Sequence, residues 1–486
     1  MNYQSTRQKN IFSGDLEAIL MGLSPEGGLF EPHAIPKIKI KDIQQFNYRD
    51  LCQYILSLYF PSFSNSELES IVYSAYSQFS KANAIGLESF GNVSILELFH
   101  GPTAAFKDFA LQILPQLIIH AKKHLQDSKH TVVLTATSGD TGSAALEGFK
   151  GLENVDIFVF YPTEGISDIQ KTQMTTVSES NVHVAGIKGN FDDAQLAVKS
   201  IFKNQNFKNH CESNHIALTS ANSINIGRLI PQIVYYLYSY CQLINDKKIS
   251  EGMAINIAVP SGNFGNLLAA FYAKQMGLPV HRLICATNEN DVLADFFSTG
   301  LYNSHRPFIQ TSSPSMDILI SSNLERLLCF FYGSDIVGPW MEDLQTHGAF
   351  SLSPDQLALL KDFIGCSVPM PQVLLTIKNF YKQHQYLLDP HSAIAVKSSI
   401  DYQQNTGDNH HCIVAATASP FKFAHTLLEA LEIPIQADAF ENIAALSLAS
   451  KTPVPPLFSH LKKRSICHQD LLNPDEIEDY IKQKIY

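Results

Sequence analysis

At 486 residues, with 45% hydrophobic and 17% charged side chains, the chain is long enough for two or three domains with separate cores and too apolar to be disordered. Its 35 Lys plus Arg against 46 Asp plus Glu leave a net charge of -11, which argues against nucleic acid or an anionic membrane as the main partner. Positive charge that meets an anionic ligand must therefore be local.

The first segment, MNYQSTRQKNIF, lacks the apolar core of a signal peptide, and no later run approaches about eighteen apolar residues, so a cytoplasmic protein without a membrane partner is expected. Eight cysteines lie far apart with no CxxC pair, which predicts reduced thiols and neither a zinc ribbon nor a disulfide framework. His410 and His411 are adjacent, but in the polar stretch QQNTGDNHH no acidic or cysteine ligand is spaced to join them. No metal site is expected. A monomer or a homodimer fits the sequence equally.

The first 90 or so residues are helical in pattern and lack strand alternation, so a separate N-terminal domain is expected at 1–92. At 100–109 the chain reads HGPTAAFKDF, where Lys107 follows a Gly-Pro turn and opens a helix. The apolar positions Phe109, Ile113, Leu117 and Ile118 follow the 3.6-residue period of a buried stripe. A lysine usually decorates a solvated face, whereas this one has apolar neighbours.

From about residue 130, short β-branched runs alternate with amphipathic segments. The runs at 131–136, 155–161, 182–187, 215–220, 254–260 and 281–287 are apolar throughout, as parallel strands buried on both faces are. Helical patterns at 192–202, 227–244 and 266–277 separate them. The fold class is therefore α/β, with parallel sheets covered by helices. A smaller α/β domain is expected at 93–215 and a larger one at 216–486.

Three loops join strands to helices with unusual compositions. In TATSGDTGSAALEGF, the small residues Thr137, Ser138, Gly139, Asp140, Thr141 and Gly142 let the backbone approach a ligand, and the helix start offers free N–H groups to a carboxylate. The same residues also suit any capped turn. In VPSGNFGNLLAAFY, Gly262 and Gly265 bracket Asn263 and Phe264 before a helix from Asn266, the composition of a phosphate cradle. It lacks the Lys-Ser/Thr of an NTPase loop and is not GxGxxG. The near-copy KGNFDDAQLAV at 188–198 continues with Asp192 and Asp193, whose charge would repel phosphate, and is expected to be a helix start only. In TSANSINIGRLIPQI, Asn222, Ser223, Asn225 and Arg228 surround a further junction, a good setting for a second anion. One lysine at a helix start, one phosphate cradle and a second anion site together suit pyridoxal 5'-phosphate, which needs a lysine for its Schiff base, with an anionic substrate.

The chain resembles the threonine synthases of the longer microbial and fungal type. ELFHGPTAAFKDFALQ is similar to that family's pyridoxal-lysine motif, TATSGDTGSAA to its substrate loop, and SANSINIGR and VPSGNFGN to its substrate-phosphate and cofactor-phosphate segments. YQSTR, GLSPEGGLFEP, SPSMDILISSNLERLL, DPHSAIA and ATASPFKF extend the likeness over nearly the whole chain, in order. The resemblance implies a fold-type II pyridoxal-phosphate enzyme, similar to the β subunit of tryptophan synthase, that turns O-phospho-L-homoserine and water into L-threonine and phosphate.

It further implies a role for each matching residue. Lys107 would hold the cofactor and then shuttle protons, with Phe106 and Asp140 beside the cofactor and Gly262, Asn263, Phe264, Gly265 and Asn266 around its phosphate. Thr137, Ser138 and Thr141 would take the substrate carboxylate, and Asn222, Ser223 and Arg228 its phosphate. Thr417 would face the pyridine nitrogen, with Ser419 as rival; a neutral hydroxyl there leaves the ring unprotonated and tempers the electron sink. Ser419 stands where a histidine is common in the family, and Gln8 and Lys9 follow the STR motif where small or acidic residues are usual. The competing readings are a threonine-synthase-like phospholyase that releases a keto acid, a dehydratase, and a catalytically silent binding relative.

Overall fold

The computed structural model describes residues 1–189 and 191–485. All six predicted strands form. Three of them, Ile255–Pro260, Val280–Thr287 and, in a second sheet, His130–Ala136, are buried along nearly their whole length, which is why their sequences show no polar alternation.

The larger sheet has six strands in the order Phe363–Ser367, Val280–Thr287, Ile255–Pro260, His411–Ala416, Val93–Glu97 and Gly86–Phe90. Pairing is parallel except for the edge hairpin made by the last two. The smaller sheet has five parallel strands in the order Asp470–Leu472, Val182–Ile187, Val155–Pro162, His130–Ala136 and Ile216–Ser220.

Sheet membership does not follow the expected division of the chain. Ile216–Ser220, expected to open the larger domain, pairs with His130–Ala136 in the smaller sheet. Val93–Glu97, expected in the smaller domain, pairs with His411–Ala416 in the larger one. The late strand Asp470–Leu472 returns to Val182–Ile187. Strand patterns report burial, whereas the choice of neighbour depends on pairing across hundreds of residues, so the two need not coincide.

The N-terminal region contains the helices Asp15–Met21, Tyr48–Tyr59 and Asn65–Tyr76, as its pattern predicts. It also contains a small antiparallel sheet of Phe12–Ser13, Tyr3–Ser5 and Phe30–Pro32, whose two- and three-residue strands are too short to leave an alternation. Tyr48 and Tyr76 meet Phe109 ring to ring at 5.7 and 6.0 Å, and the Tyr76 hydroxyl donates to the Phe109 carbonyl at 3.0 Å. This region therefore braces the segment that carries Lys107.

That segment is two helices, Asp108–Leu111 and Leu114–His124, where one was predicted. Pro115 has no N–H to offer the Leu111 carbonyl four residues earlier, so the ladder breaks there. Phe109, Ile113, Leu117 and Ile118 are nonetheless all buried. The expected helix start near 188–191 includes position 190, outside the described residues; helix Phe191–Lys203 follows it. Among the described residues no helix is long and apolar enough to cross a membrane.

Candidate active site

Five loops that follow the C-terminal ends of parallel strands are tied to one another by hydrogen bonds, the place where open α/β sheets bind ligands. Phe106 N–H donates to the Thr417 carbonyl at 2.8 Å, and Ala105 bridges Ala418, so the lysine segment lies along the end of His411–Ala416. Asn222 Nδ2 donates to the Ala136 carbonyl at 3.0 Å, joining the 222 loop to the 137 loop. Asn323 Nδ2 donates to the carbonyls of Ser223 and Asn263, both at 3.1 Å, and so holds the two expected phosphate loops together.

Lys107 lies immediately before Asp108–Leu111, its side chain 13% exposed and its Nζ 4.8 Å from the centre of the Phe106 ring. The Nζ is 3.5 Å from Ser315 Oγ and 3.9 Å from Asp140 Oδ2. Burial pushes its ammonium down to about 8; Asp140 opposes this, while Arg228 and Lys422 add to it. A neutral amine is thus within reach at ordinary pH.

Asp140 opens helix Asp140–Phe149, and its carboxylate is shared. Oδ1 accepts from Lys422 Nζ at 2.6 Å and from Gln170 Nε2 at 2.8 Å, while Oδ2 accepts from Ser315 Oγ at 3.2 Å. Burial alone would raise this carboxyl, but the Lys422 and Lys107 charges and these hydrogen bonds hold it well below the usual range. Gly139 has φ +129°, and a Cβ there would stand 2.5 Å from the Gln170 side chain, so the loop needs glycine on both counts. Thr137, expected to touch substrate, turns its oxygen inward to accept from the amides of Gly139 and Gly142. It shapes the loop, leaving the N–H groups of Ser138, Asp140 and Thr141 without partners among the described residues.

Arg228, on helix Ile226–Asn245, is buried without a carboxylate. Its NH1 donates to the Ala221 carbonyl at 2.5 Å, and Nε has no partner among the described residues. Burial lowers its guanidinium to about 10. An unpaired buried cation is costly by several kcal/mol, so it signals a missing anion. Asn225 is spent on structure: its side chain caps Gly227 and reaches the Ile19 carbonyl at 2.9 Å. The Ser223 hydroxyl makes no hydrogen bond among the described residues.

In the second phosphate loop, Phe264 adopts the left-handed conformation with φ +64° and buries its ring against Phe297 and Phe363, at 5.8 and 6.0 Å. Asn266 Nδ2 folds back to the Pro260 carbonyl at 3.1 Å. Both side chains are spent on the loop itself, whereas the N–H groups of Gly262, Asn263, Phe264, Gly265 and Asn266 make no hydrogen bond among the described residues. A Cβ on Gly262 would lie 2.8 Å from the Ser315 carbonyl, which brings the Ser315 loop against this cradle.

Thr417 and Ser419 differ. The Ser419 hydroxyl accepts from Phe421 N–H at 3.4 Å, capping the 3-10 turn Pro420–Phe423, whereas the Thr417 hydroxyl has no hydrogen bond among the described residues.

Sequence reasoning missed Lys422, Gln170, Ser315 and the buried pair His391 and Asp389, whose Nδ1 to Oδ1 distance is 2.8 Å and whose His391 Nε2 accepts from Ser315 N–H at 3.4 Å. Lys422, set between Phe421 and Phe423, carries the same signal that singled out Lys107. The histidine reading also needs correction. An acidic partner does reach His410: Asp408 Oδ1 lies 2.6 Å from His410 Nδ1 and Oδ2 lies 3.6 Å from His281 Nε2. The two imidazoles are stacked at 4.3 Å with planes 21° apart, so their in-plane lone pairs do not converge on one ion. His411 turns away into the core, with Nε2 2.8 Å from Ser94 Oγ.

Known proteins resemble the chain along nearly its whole length. Residues 2–76 match the family model for the threonine synthase N terminus, and residues 82–417 that of pyridoxal-phosphate dependent enzymes. The threonine synthase of Schizosaccharomyces pombe is 38% identical over 459 residues, covering 87% of this chain and 88% of that protein. The crystal structure of threonine synthase from yeast superposes with a TM-score of 0.87 at 34% identity, covering 100% of this chain and 98% of the other. The pyridoxal-phosphate-bound threonine synthase of Brucella melitensis gives 0.85 at 34% identity, covering 100% and 99%. The chain belongs to the threonine synthase family of pyridoxal-phosphate dependent, fold-type II enzymes.

Proposed function

We propose that the protein converts O-phospho-L-homoserine and water to L-threonine and inorganic phosphate, using pyridoxal 5'-phosphate. The observation that carries this reading is the buried guanidinium of Arg228, without a carboxylate partner among the described residues, in the same site as a lysine whose ammonium burial pushes down to about 8. A site built for an unphosphorylated substrate has no use for that cation.

The residues fit the cofactor. Lys107 would hold it covalently, the partnerless amides of Gly262 to Asn266 at a helix start would take its phosphate, and the free Thr417 hydroxyl would meet its ring nitrogen. Bound there, pyridoxal phosphate supplies an electron sink beside the substrate's amino nitrogen. The amides of Ser138, Asp140 and Thr141 then orient the substrate carboxylate, and Arg228 with Asn222 and Ser223 holds the substrate phosphate. Lys107, once free, takes and returns protons at the α carbon and its neighbour. A neutral Thr417 hydroxyl leaves the ring unprotonated and favours elimination and addition over transamination. A cytoplasmic setting is supported by the eight cysteines, all free thiols, which suit a reducing environment.

Incubating the purified protein with O-phosphohomoserine and assaying threonine, phosphate and 2-oxobutanoate together tests this directly. Threonine and phosphate in equal amounts are expected. Accumulation of 2-oxobutanoate in place of threonine would identify a phospholyase. Lys107→Ala is expected to abolish both the yellow colour and turnover, and a borohydride-reducible cofactor in that variant would refute the assignment.

A further inference from the structure

We propose that Lys422 is a positioning residue for Lys107: by claiming the Asp140 carboxylate it keeps the Lys107 amine free to react. This deepens the reading above and rests on Lys107 being the residue that holds the cofactor.

The geometry is unequal. Lys422 is fully buried, and its ammonium donates to Asp140 Oδ1 at 2.6 Å and to the Thr103 carbonyl at 3.0 Å. Lys107 stands 3.9 Å from the other oxygen, Oδ2, which Ser315 already occupies at 3.2 Å. Gln170 adds a second donor to Oδ1. One carboxylate is thus saturated by groups other than Lys107. If Lys422 were absent, Asp140 would be a buried anion whose nearest cation is Lys107, and the two would close into a pair.

That pairing matters because condensation with an aldehyde needs the nitrogen lone pair: the C=N bond forms, the C=O bond breaks, and oxygen leaves as water. An ammonium locked onto Asp140 has no lone pair to give. The charged and titratable groups that act on Lys107 are Asp140, Arg228 on its helix, Lys422 on its 3-10 turn and Asp108 on the following helix. His391 lies behind Ser315. Asp108 is turned away, accepting from Thr103 N–H at 2.9 Å and Thr103 Oγ1 at 2.7 Å, and burial raises its carboxyl to about 7. Of these four groups, Asp140 and, behind it, Asp108 favour the Lys107 ammonium, and Lys422 neutralises the larger influence, Asp140.

The test is the rate at which apoenzyme takes up pyridoxal phosphate across the pH range, read by mass spectrometry of the borohydride-reduced peptide that contains Lys107. Wild type should show a midpoint near 8. Lys422→Gln should move it up by about one unit or more, so that uptake well below the midpoint falls about tenfold. Adding Asp140→Asn to Lys422→Gln removes the competing anion and should bring the midpoint back to the wild-type value or below. A purely structural role for Lys422 would give no such reversal, and equal midpoints in all three proteins would overturn the proposal. Should Lys422→Gln not fold, Lys422→Met keeps the buried aliphatic stem and carries the same test: a midpoint raised by about one unit supports the proposal and an unchanged one overturns it. Failure of wild type to label at Lys107 at all would instead refute the cofactor assignment.

Discussion

Arg228 and Arg326 are both buried, and each is the third residue of its helix, in Ile226–Asn245 and Leu324–Tyr332. Their surroundings are opposite. Arg326 spends Nε on the Phe30 carbonyl at 2.8 Å, NH1 on Asn323 Oδ1 at 2.5 Å and NH2 on the Ile224 carbonyl at 2.6 Å. Arg228 spends one nitrogen on Ala221 and leaves Nε without a partner among the described residues. A saturated guanidinium ties elements together, here the N-terminal sheet, the 323 turn and the substrate loop. An unsaturated one in the same burial has kept its donors for a ligand.

The comparison makes the strongest demand on Arg326. Truncation to Ala removes the donor from one buried carbonyl, one half-buried carbonyl and an amide oxygen, so Arg326→Ala is expected to cost about 3–5 kcal/mol of unfolding free energy in denaturant titration. A loss under about 1 kcal/mol would show that the saturated arginine is not structural.

Arg228→Ala should do the reverse. The variant keeps its cofactor and its stability, since an unpaired buried charge is removed, while kcat/KM for O-phosphohomoserine falls about 30-fold to 1000-fold, equivalent to about 2–4 kcal/mol for a desolvated charge-assisted pair. If the variant instead loses pyridoxal phosphate, the two anion sites have been assigned the wrong way round.

Inorganic phosphate sharpens the same contrast without a reaction. In holoenzyme the cofactor's own phosphate site is filled, so added phosphate at about 100 times its Kd should stabilise the protein by about 2.7 kcal/mol through the remaining site. Arg326 offers that phosphate no donor, since its three nitrogens are spent on Phe30, Asn323 and Ile224. Loss of the thermal shift in Arg228→Ala is expected, and an undiminished shift would place the anion elsewhere.

Arg228 was legible in the sequence because it follows a polar strand end, and the strands were legible because burial on both faces leaves uninterrupted apolar runs. Arg326 lay inside SSNLERLL, where nothing local distinguishes a tie between three distant elements from a solvated helix residue. The same limit hid Lys422 and the pairing of Ile216–Ser220 with His130–Ala136, which depend on contacts 282 and 86 positions apart along the chain. The backbone amides of the two Gly-rich loops were legible as donors, but the intra-loop duties of the Thr137, Phe264 and Asn266 side chains were not. A Gly-rich loop announces a cradle, but which side chains line it is decided by packing.

Ser419 and Thr417 repeat the contrast on a smaller scale. Ser419 has its hydroxyl engaged with Phe421 N–H, and the Thr417 hydroxyl has no hydrogen bond among the described residues. If saturation marks structure and its lack marks a ligand, Ser419→Ala should cost up to about 1 kcal/mol of stability through the lost cap and leave the visible absorbance of the bound cofactor where it was. Thr417→Val keeps the branched shape and removes only the hydroxyl, so stability should hold while the absorbance maximum and the turnover number change. The ring nitrogen would then lose its single neutral partner, a difference of about 0.5–1.5 kcal/mol for one uncharged hydrogen bond. Paired spectra and melting curves of the two variants decide it. If Ser419→Ala moves the spectrum and Thr417→Val does not, the nitrogen faces Ser419, and a hydroxyl at the position where the family commonly carries histidine becomes the group that sets the cofactor's electronics.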